Sequence, residues 1–66
     1  MNKEKLATAV RESGVKKTYI AEKLGISYQS YLNRESGKSQ FLASEIAQLK
    51  AILKLTNKDV AEIFLT

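Results

Sequence analysis

Residues 20–31 carry the pattern that most restricts how this chain folds. It reads Ile-Ala-x-x-Leu-Gly-Ile-Ser-x-x-x-Tyr, with apolar residues before, within and after a Leu-Gly break. Two helices that cross steeply over a short turn need a small residue where their backbones approach, here Ala21, and a glycine that ends the first helix, here Gly25. Ser27 supplies a hydroxyl that caps the second helix. The pattern therefore predicts two helices joined by a tight turn, with Tyr31 facing inward; a generic helical hairpin with a Leu-Gly turn is the simpler alternative.

The apolar residues elsewhere in the chain also recur at helical spacing. The sequence has no proline, and each of its three glycines falls at a break between apolar groups. These breaks predict an all-α fold of five short helices in a single domain over residues 1–66. A Thr56 and Asp59 capping pair opens the last helix, ahead of Ile63 and Phe64. The other helices are expected at residues 3–13, 17–24, about 28–36 and about 43–54.

The composition narrows the possible functions. Histidine and cysteine are absent, which removes disulfides, thiolate metal sites and the commonest acid–base catalyst. The carboxylates are scattered along the predicted helices, so we expect neither an enzyme nor a bound cofactor or metal. No apolar run is long enough for a signal-peptide core or a bilayer span. We therefore expect a soluble, cytoplasmic protein with no membrane partner and no small-molecule substrate.

The net charge of +4 is unevenly distributed along the sequence. Residues 1–38 contain eight Lys or Arg and four Asp or Glu, whereas residues 39–66 contain three of each. The whole basic excess therefore lies in the half that carries the 20–31 pattern. This distribution favours a nucleic-acid partner, and the lack of a stacking platform or an arginine-rich segment argues against RNA.

The stretch KTYIAEKLGISYQSYLNRESGK, residues 17–38, resembles the helix-turn-helix of the phage Cro/repressor family, also called the Xre-type family. The likeness continues through Ser39-Gln40-Phe41 and the next two predicted helices, and it is greatest to short Cro proteins. It implies a lambda-repressor-like DNA-binding domain with the helix-turn-helix at helices 2 and 3. The implied function is transcriptional repression by a dimer that binds a palindromic operator in double-stranded DNA, on the nucleoid of a bacterial host.

The resemblance assigns base contacts to the outward face of the third helix. Tyr28, Gln29 and Asn33 occupy the positions at which family members read bases. The side-chain amides of Gln29 and Asn33 suit bidentate contact with adenine in the major groove. Leu32 stands where a polar residue is usual; it either meets a thymine methyl or covers the loop before helix four, and we favour the first.

Phosphate contacts are expected at the start of the second helix and after the third. Lys17 stands where relatives carry a glutamine that grips the DNA backbone, and the helix amides there suit a phosphate. Relatives also pair the glutamate at Glu35 with an arginine at the position of Val10, so here Glu35 is expected to pair with Arg11 or to lie exposed. The expected phosphate ligands are Lys16, Lys17, Ser30, Lys38, Ser39 and Gln40.

One recognition helix reads only a few base pairs, so a dimer is expected. We predict a weak homodimer assembled on DNA through Phe41, Leu42, Phe64 and Leu65, with core packing as an equal alternative for Phe64. The sequence is expected to end where the DNA-binding domain ends, which favours a Cro-type repressor over one with a further domain. The alternative is a small Xre-type regulator or an antitoxin acting with a protein partner, although no toxin-wrapping tail is expected.

Overall fold

The computed structural model describes residues 1–65, and over this range the chain forms five α-helices and no strand. The all-α class with five short helices is thus confirmed, and none of the described helices is long and apolar enough to cross a membrane. The helices are α1 (Lys3–Ser13), α2 (Lys17–Leu24), α3 (Tyr28–Glu35), α4 (Ala43–Ile52) and α5 (Asn57–Phe64).

Side-chain caps and left-handed residues set the helix ends. The Thr56 hydroxyl accepts the Asp59 amide at 3.1 Å, and the Asp59 carboxylate accepts the Thr56 amide at 2.9 Å, which confirms the predicted capping pair. The bond from the Thr56 amide lowers the pKa of Asp59. Gly25 ends α2 with φ of 72°, a conformation that glycine adopts without the steric cost of a Cβ atom.

The fourth helix ends two residues earlier than predicted. Its last residue is Ile52, and Lys54 takes a left-handed conformation with φ of 55°. This turn lets the Leu55 amide donate to the Lys50 carbonyl at 2.9 Å and brings Leu55 against the core. Burial of Leu53 and Leu55 offsets the conformational cost of Lys54, about 1–2 kcal/mol for an L-residue in this region.

The core lies where α1, α2 and α4 meet behind α3. Tyr31 is fully buried, as the sequence pattern predicted. Helix α2 packs most extensively on α3 and also on α4, while α1 packs on α5 and α3. Helix α3 is therefore supported from behind by both α1 and α2. The buried apolar residues are Leu6, Val10, Ile20, Ala21, Tyr31, Leu49, Leu53 and Ile63.

Candidate functional site

The turn between α2 and α3 is closed by local hydrogen bonds. The Gly25 amide donates to the Glu22 carbonyl and the Ile26 amide to the Ala21 carbonyl, both at 3.1 Å. The Ser27 hydroxyl accepts the Ser30 amide at 3.0 Å, which confirms the predicted cap of α3. These bonds set where α3 begins relative to α2.

Three polar residues form the outward face of α3, which we define as Tyr28, Gln29 and Asn33. Tyr28 and Gln29 are exposed and Asn33 is half-buried. Gln29 Nε2 donates to Asn33 Oδ1 at 3.1 Å. Among the described residues, this is the one hydrogen bond made by the side chains of the outward face, so no hydrogen bond of these side chains ties α3 to another element.

This hydrogen bond occupies a donor of one amide and an acceptor of the other. Gln29 keeps its carbonyl oxygen and one N–H, so it still presents one acceptor and one donor. Asn33 accepts one bond at its oxygen, which has a second lone pair free, and keeps both N–H groups as donors. Both amides of the outward face thus still present a donor and an acceptor.

Leu32 lies between the outward face and the core. It is half-buried and packs against the buried residues. Of the two settings expected for it, this packing is closer to the covering role than to the base contact that we favoured. A contact between its remaining exposed surface and a thymine methyl stays a prediction.

The inward side of α3 carries a carboxylate with two partners. Glu35 Oε1 accepts from Lys17 Nζ at 2.8 Å, and Glu35 Oε2 accepts from the Tyr31 hydroxyl at 2.8 Å. The Glu35 side chain is 12% exposed and that of Lys17 is 42% exposed. Burial raises the pKa of Tyr31, and the hydrogen bond to Glu35 raises it further.

The expectation that Glu35 pairs with Arg11 or lies exposed was wrong. Arg11 is exposed and forms no ion pair with any described residue, and Glu35 is not exposed either. Arg11 follows the buried Val10, and one residue rotates about 100° around a helix, so its side chain is carried away from α3. Lys17 supplies the positive charge because it begins α2, the helix packed most closely on α3.

A second ion pair, between Arg34 and Glu45, was not predicted. Arg34 Nε lies 2.9 Å from Glu45 Oε1, and the same oxygen accepts the Leu42 amide at 2.9 Å. Glu45 is only 4% exposed. A signal existed in the sequence, because Glu45 stands three residues after Leu42, where a glutamate commonly bonds the amide of the residue before a helix. It was missed because Leu42 has no side-chain acceptor to announce a cap.

The expected phosphate ligands have different settings. The Lys17 ammonium is held by Glu35, which partly neutralises the charge it was expected to offer a phosphate. Ser30 is half-buried, and its hydroxyl accepts from that of Ser27 at 2.9 Å. Their phosphate contacts stay predictions. The exposed members of the set are Lys16, Lys38, Ser39 and Gln40.

Ion pairs reduce the number of basic side chains in residues 1–38 that are left to bind an anion. Three of the eight basic residues in 1–38 are paired: Lys5 with Glu62, Lys17 with Glu35, and Arg34 with Glu45. Two of these pairs lie on α3, so the charge available to a polyanion there comes from exposed lysines on either side of the helix. The basic residues of this half that form no ion pair with a described residue are Lys3, Arg11, Lys16, Lys23 and Lys38.

The residues expected at a dimer interface fall into two groups. Phe41 and Phe64 are half-buried and meet edge to face, with ring centroids 5.7 Å apart and planes at 86°. Phe41 also lies 6.2 Å from the ring of Tyr31. These contacts favour the core alternative for Phe64 and place Phe41 in the same packing. Leu42 and Leu65 are 59% and 78% exposed and remain available to a partner.

No protein-family model, curated protein or solved structure gives a significant match to this chain. The resemblance to the Cro/repressor family therefore rests on the sequence pattern alone and stays a prediction.

Proposed function

We propose that this protein binds specific sites in double-stranded DNA and regulates transcription, with α3 as its recognition helix. The observation that carries the proposal is the contrast on α3. Its inward side is held by buried contacts, whereas the side chains of Tyr28, Gln29 and Asn33 on its outward face make no hydrogen bond or ion pair outside α3 among the described residues. The major groove of B-DNA is wide enough to admit an α-helix, and the exposed polar side chains of such a helix then contact the base edges.

The hydrogen-bonding groups of the outward face suggest which bases it reads. Gln29 keeps one acceptor and one donor, which match the N6 amino group and N7 of adenine. Asn33 keeps its two N–H donors and one lone pair of its oxygen, so its amide also retains the groups that suit adenine. Each bidentate contact provides about 1–3 kcal/mol of discrimination against the wrong base.

Exposed polar and basic groups beside α3 supply the contacts that do not depend on base sequence. Lys16 directly precedes α2, and Lys38, Ser39 and Gln40 follow α3. Side chains of this kind at both ends of a recognition helix bond phosphates and fix the register of the protein on the duplex. Their contribution weakens as salt rises, because each neutralised phosphate releases condensed counterions.

Two copies are needed to specify a site, because one recognition helix reads too few base pairs. The longest Cα extent of the domain is 27 Å, so two domains side by side, with their side chains, have a size compatible with α3 helices about 34 Å apart, the spacing between successive turns of the major groove. Leu42 and Leu65 are the exposed apolar residues that remain for the contact. So small an apolar surface supports a weak dimer assembled on DNA, in the cytoplasm of a bacterial cell.

Selection of bound sequences from random duplex DNA tests this function. We expect a short inverted repeat, with log affinity falling against log salt by about 0.9 per neutralised phosphate. Enrichment of a single unrepeated site would contradict the dimer. No enrichment, together with an affinity that does not respond to salt, would contradict DNA binding itself and favour a protein-binding module.

A further inference from the structure

The α3–α4 loop, residues 36–42, carries three of the proposed phosphate ligands, Lys38, Ser39 and Gln40. Backbone bonds return its first part to α3: the Gly37 amide donates to the Arg34 carbonyl at 3.2 Å, and the Ser39 amide donates to the Asn33 carbonyl at 3.1 Å. Its far end is held differently. The Leu42 amide donates to Glu45 Oε1 at 2.9 Å.

Glu45 joins that far end of the loop back to α3. The oxygen that accepts the Leu42 amide also lies 2.9 Å from Arg34 Nε, in the last turn of α3. Both charged groups are withdrawn from water, since the Glu45 side chain is 6% exposed and that of Arg34 is 19% exposed. One carboxylate oxygen therefore connects the end of the recognition helix, the end of the loop and the start of α4.

An ion pair this buried is expected to add little net stability to the fold. Moving two charges out of water opposes their attraction, and apolar residues of similar size often stabilise a protein as well or better. What the pair adds here is a fixed distance between α3 and residue 42. The attraction is between the two charges, because Arg34 Nε has no hydrogen-bond partner. The ring of Phe41 also anchors the loop, against Tyr31 and Phe64, whereas the side chains of Lys38, Ser39 and Gln40 are exposed and do not hold it.

We propose that Glu45 is a positioning residue for DNA binding: through Arg34 and the Leu42 amide it holds the α3–α4 loop so that the phosphate ligands of the loop and the outward face of α3 reach the duplex together. The inference rests on the proposed function. Phosphate contacts fix the register in which bases are read, and a loop that is ordered before binding loses less conformational entropy on association.

The loss of the Glu45 charge distinguishes a positioning role from a purely electrostatic effect, because the two predict opposite changes in DNA affinity. Removal of a carboxylate from a protein that binds a polyanion is expected to strengthen binding, because it lowers repulsion. A positioning role predicts the opposite sign for Glu45. Glu12→Gln is the matched control, since Glu12 is exposed on α1, forms no ion pair with a described residue and undergoes the same change of charge.

The test measures the affinity of the full chain for its selected duplex, under conditions where circular dichroism shows every variant folded. We expect Glu45→Ala to bind about tenfold more weakly than the wild-type protein. Its salt dependence should also be shallower by about one counterion, because the loop no longer brings its lysine to a phosphate. Glu45→Gln, which keeps an acceptor for the Leu42 amide but loses the charge, should lie between Glu45→Ala and the wild-type protein. Glu12→Gln should bind as tightly as the wild-type protein or more tightly.

Leu53→Ala is the control for a general loss of stability, because Leu53 is buried in the core and lies outside the loop and its contacts. Its folded fraction should bind DNA with wild-type affinity. Equal binding by Glu45→Gln and Glu12→Gln would overturn the positioning role. If Glu45→Ala does not fold, the comparison of these two glutamine variants carries the test alone.

A measurement without DNA separates this inference from the proposed function. Amide hydrogen exchange of Leu42 and Ser39 in the free protein should be faster in the Glu45 variants than in Leu53→Ala of matched stability. If the wild-type protein binds no duplex, the proposed function fails, and exchange still decides whether Glu45 orders the loop. Unchanged exchange at both amides in the Glu45 variants would overturn the positioning role even if DNA is bound.

Discussion

Tyr28 and Tyr31 are the same residue type three positions apart on one helix, and their settings are opposite. Tyr31 is 0% exposed, its hydroxyl donates to Glu35 at 2.8 Å, and its ring lies 6.2 Å from that of Phe41. Tyr28 is 47% exposed and opens the helix on its outward face. The difference shows that one side of α3 packs in the core and that Tyr28 on the opposite side is exposed to solvent.

The inward side connects α3 to two other helices. Glu35 bonds Lys17 on α2, and Arg34 pairs with Glu45 on α4. The hydrogen bond of the outward face, from Gln29 to Asn33, stays within α3. Under the proposed function, stability and recognition are carried by different residues of one helix, so residues of the outward face could change with the target sequence while the fold persists.

The strongest challenge to this comparison replaces each tyrosine in turn by alanine. Tyr31→Ala removes the largest fully buried side chain and should destabilise the protein by about 3–5 kcal/mol, which is most or all of the stability of a domain this small. Tyr28→Ala should change the free energy of unfolding by less than about 0.5 kcal/mol. Urea unfolding followed by circular dichroism measures both, and equal losses at the two positions would refute the division of the helix.

Gln29→Ala sharpens the comparison from the outward side. It should leave the free energy of unfolding unchanged and remove about 1–3 kcal/mol of discrimination at one base pair in each half-site, because the donor–acceptor pair facing adenine is lost. The measurement is binding to a set of duplexes that differ at single positions. Asn33→Ala is the companion variant, and we expect its effect at a different base pair. A uniform loss of affinity over all the duplexes would count against base reading by Gln29.

The inward side should also respond to alkaline pH. The folded pKa of Tyr31 is raised above its ordinary value of 10.0 by burial and by Glu35, so below that value the group is protonated in both states and its contribution to stability is complete. Above it the unfolded chain binds fewer protons than the folded one, and the free energy of unfolding should fall by up to about 1.4 kcal/mol per pH unit. Tyr31→Phe should remove this part of the slope.

Tyr19→Phe is the control for the loss of a hydroxyl, since Tyr19 is 47% exposed on α2. Urea unfolding of the three proteins from about pH 8 to about pH 11 gives the slopes. An unaltered alkaline slope in Tyr31→Phe would show that the Tyr31 hydroxyl is not protected by burial. At neutral pH Tyr31→Phe should be about 1 kcal/mol less stable than the wild-type protein, because Glu35 loses a hydrogen-bond donor.

The sequence allowed the fold and the direction of Tyr31 to be predicted, because both follow from local patterns. Apolar spacing and the glycine breaks gave the bounds of α1 and α2, and the Ser27 cap fixed the start of α3. These signals act over a few residues, and tertiary contacts reinforce them.

The ion pairs could not be predicted in the same way. Lys17 and Glu35 are 18 residues apart, and which of several nearby cations reaches a carboxylate depends on how whole helices pack. Arg11 was the cation next in sequence to the position expected from the family, but its place on α1 turns it away. The packing of Phe41 against Phe64 could not be predicted for a related reason, since periodicity does not tell a core ring from an interface ring.

Lys38→Ala tests the outward side at the smallest expected effect. Lys38 is exposed in the α3–α4 loop, beyond the last turn of α3, so its loss should leave stability unchanged and weaken binding a few-fold for every duplex alike. The slope of log affinity against log salt should become shallower by about one, because one fewer counterion is released. Lys58→Ala on α5 removes the same charge from an exposed position on another helix and should leave that slope unchanged. Equal effects of the two substitutions would mean that net charge, not the place of Lys38 beside the recognition helix, controls binding.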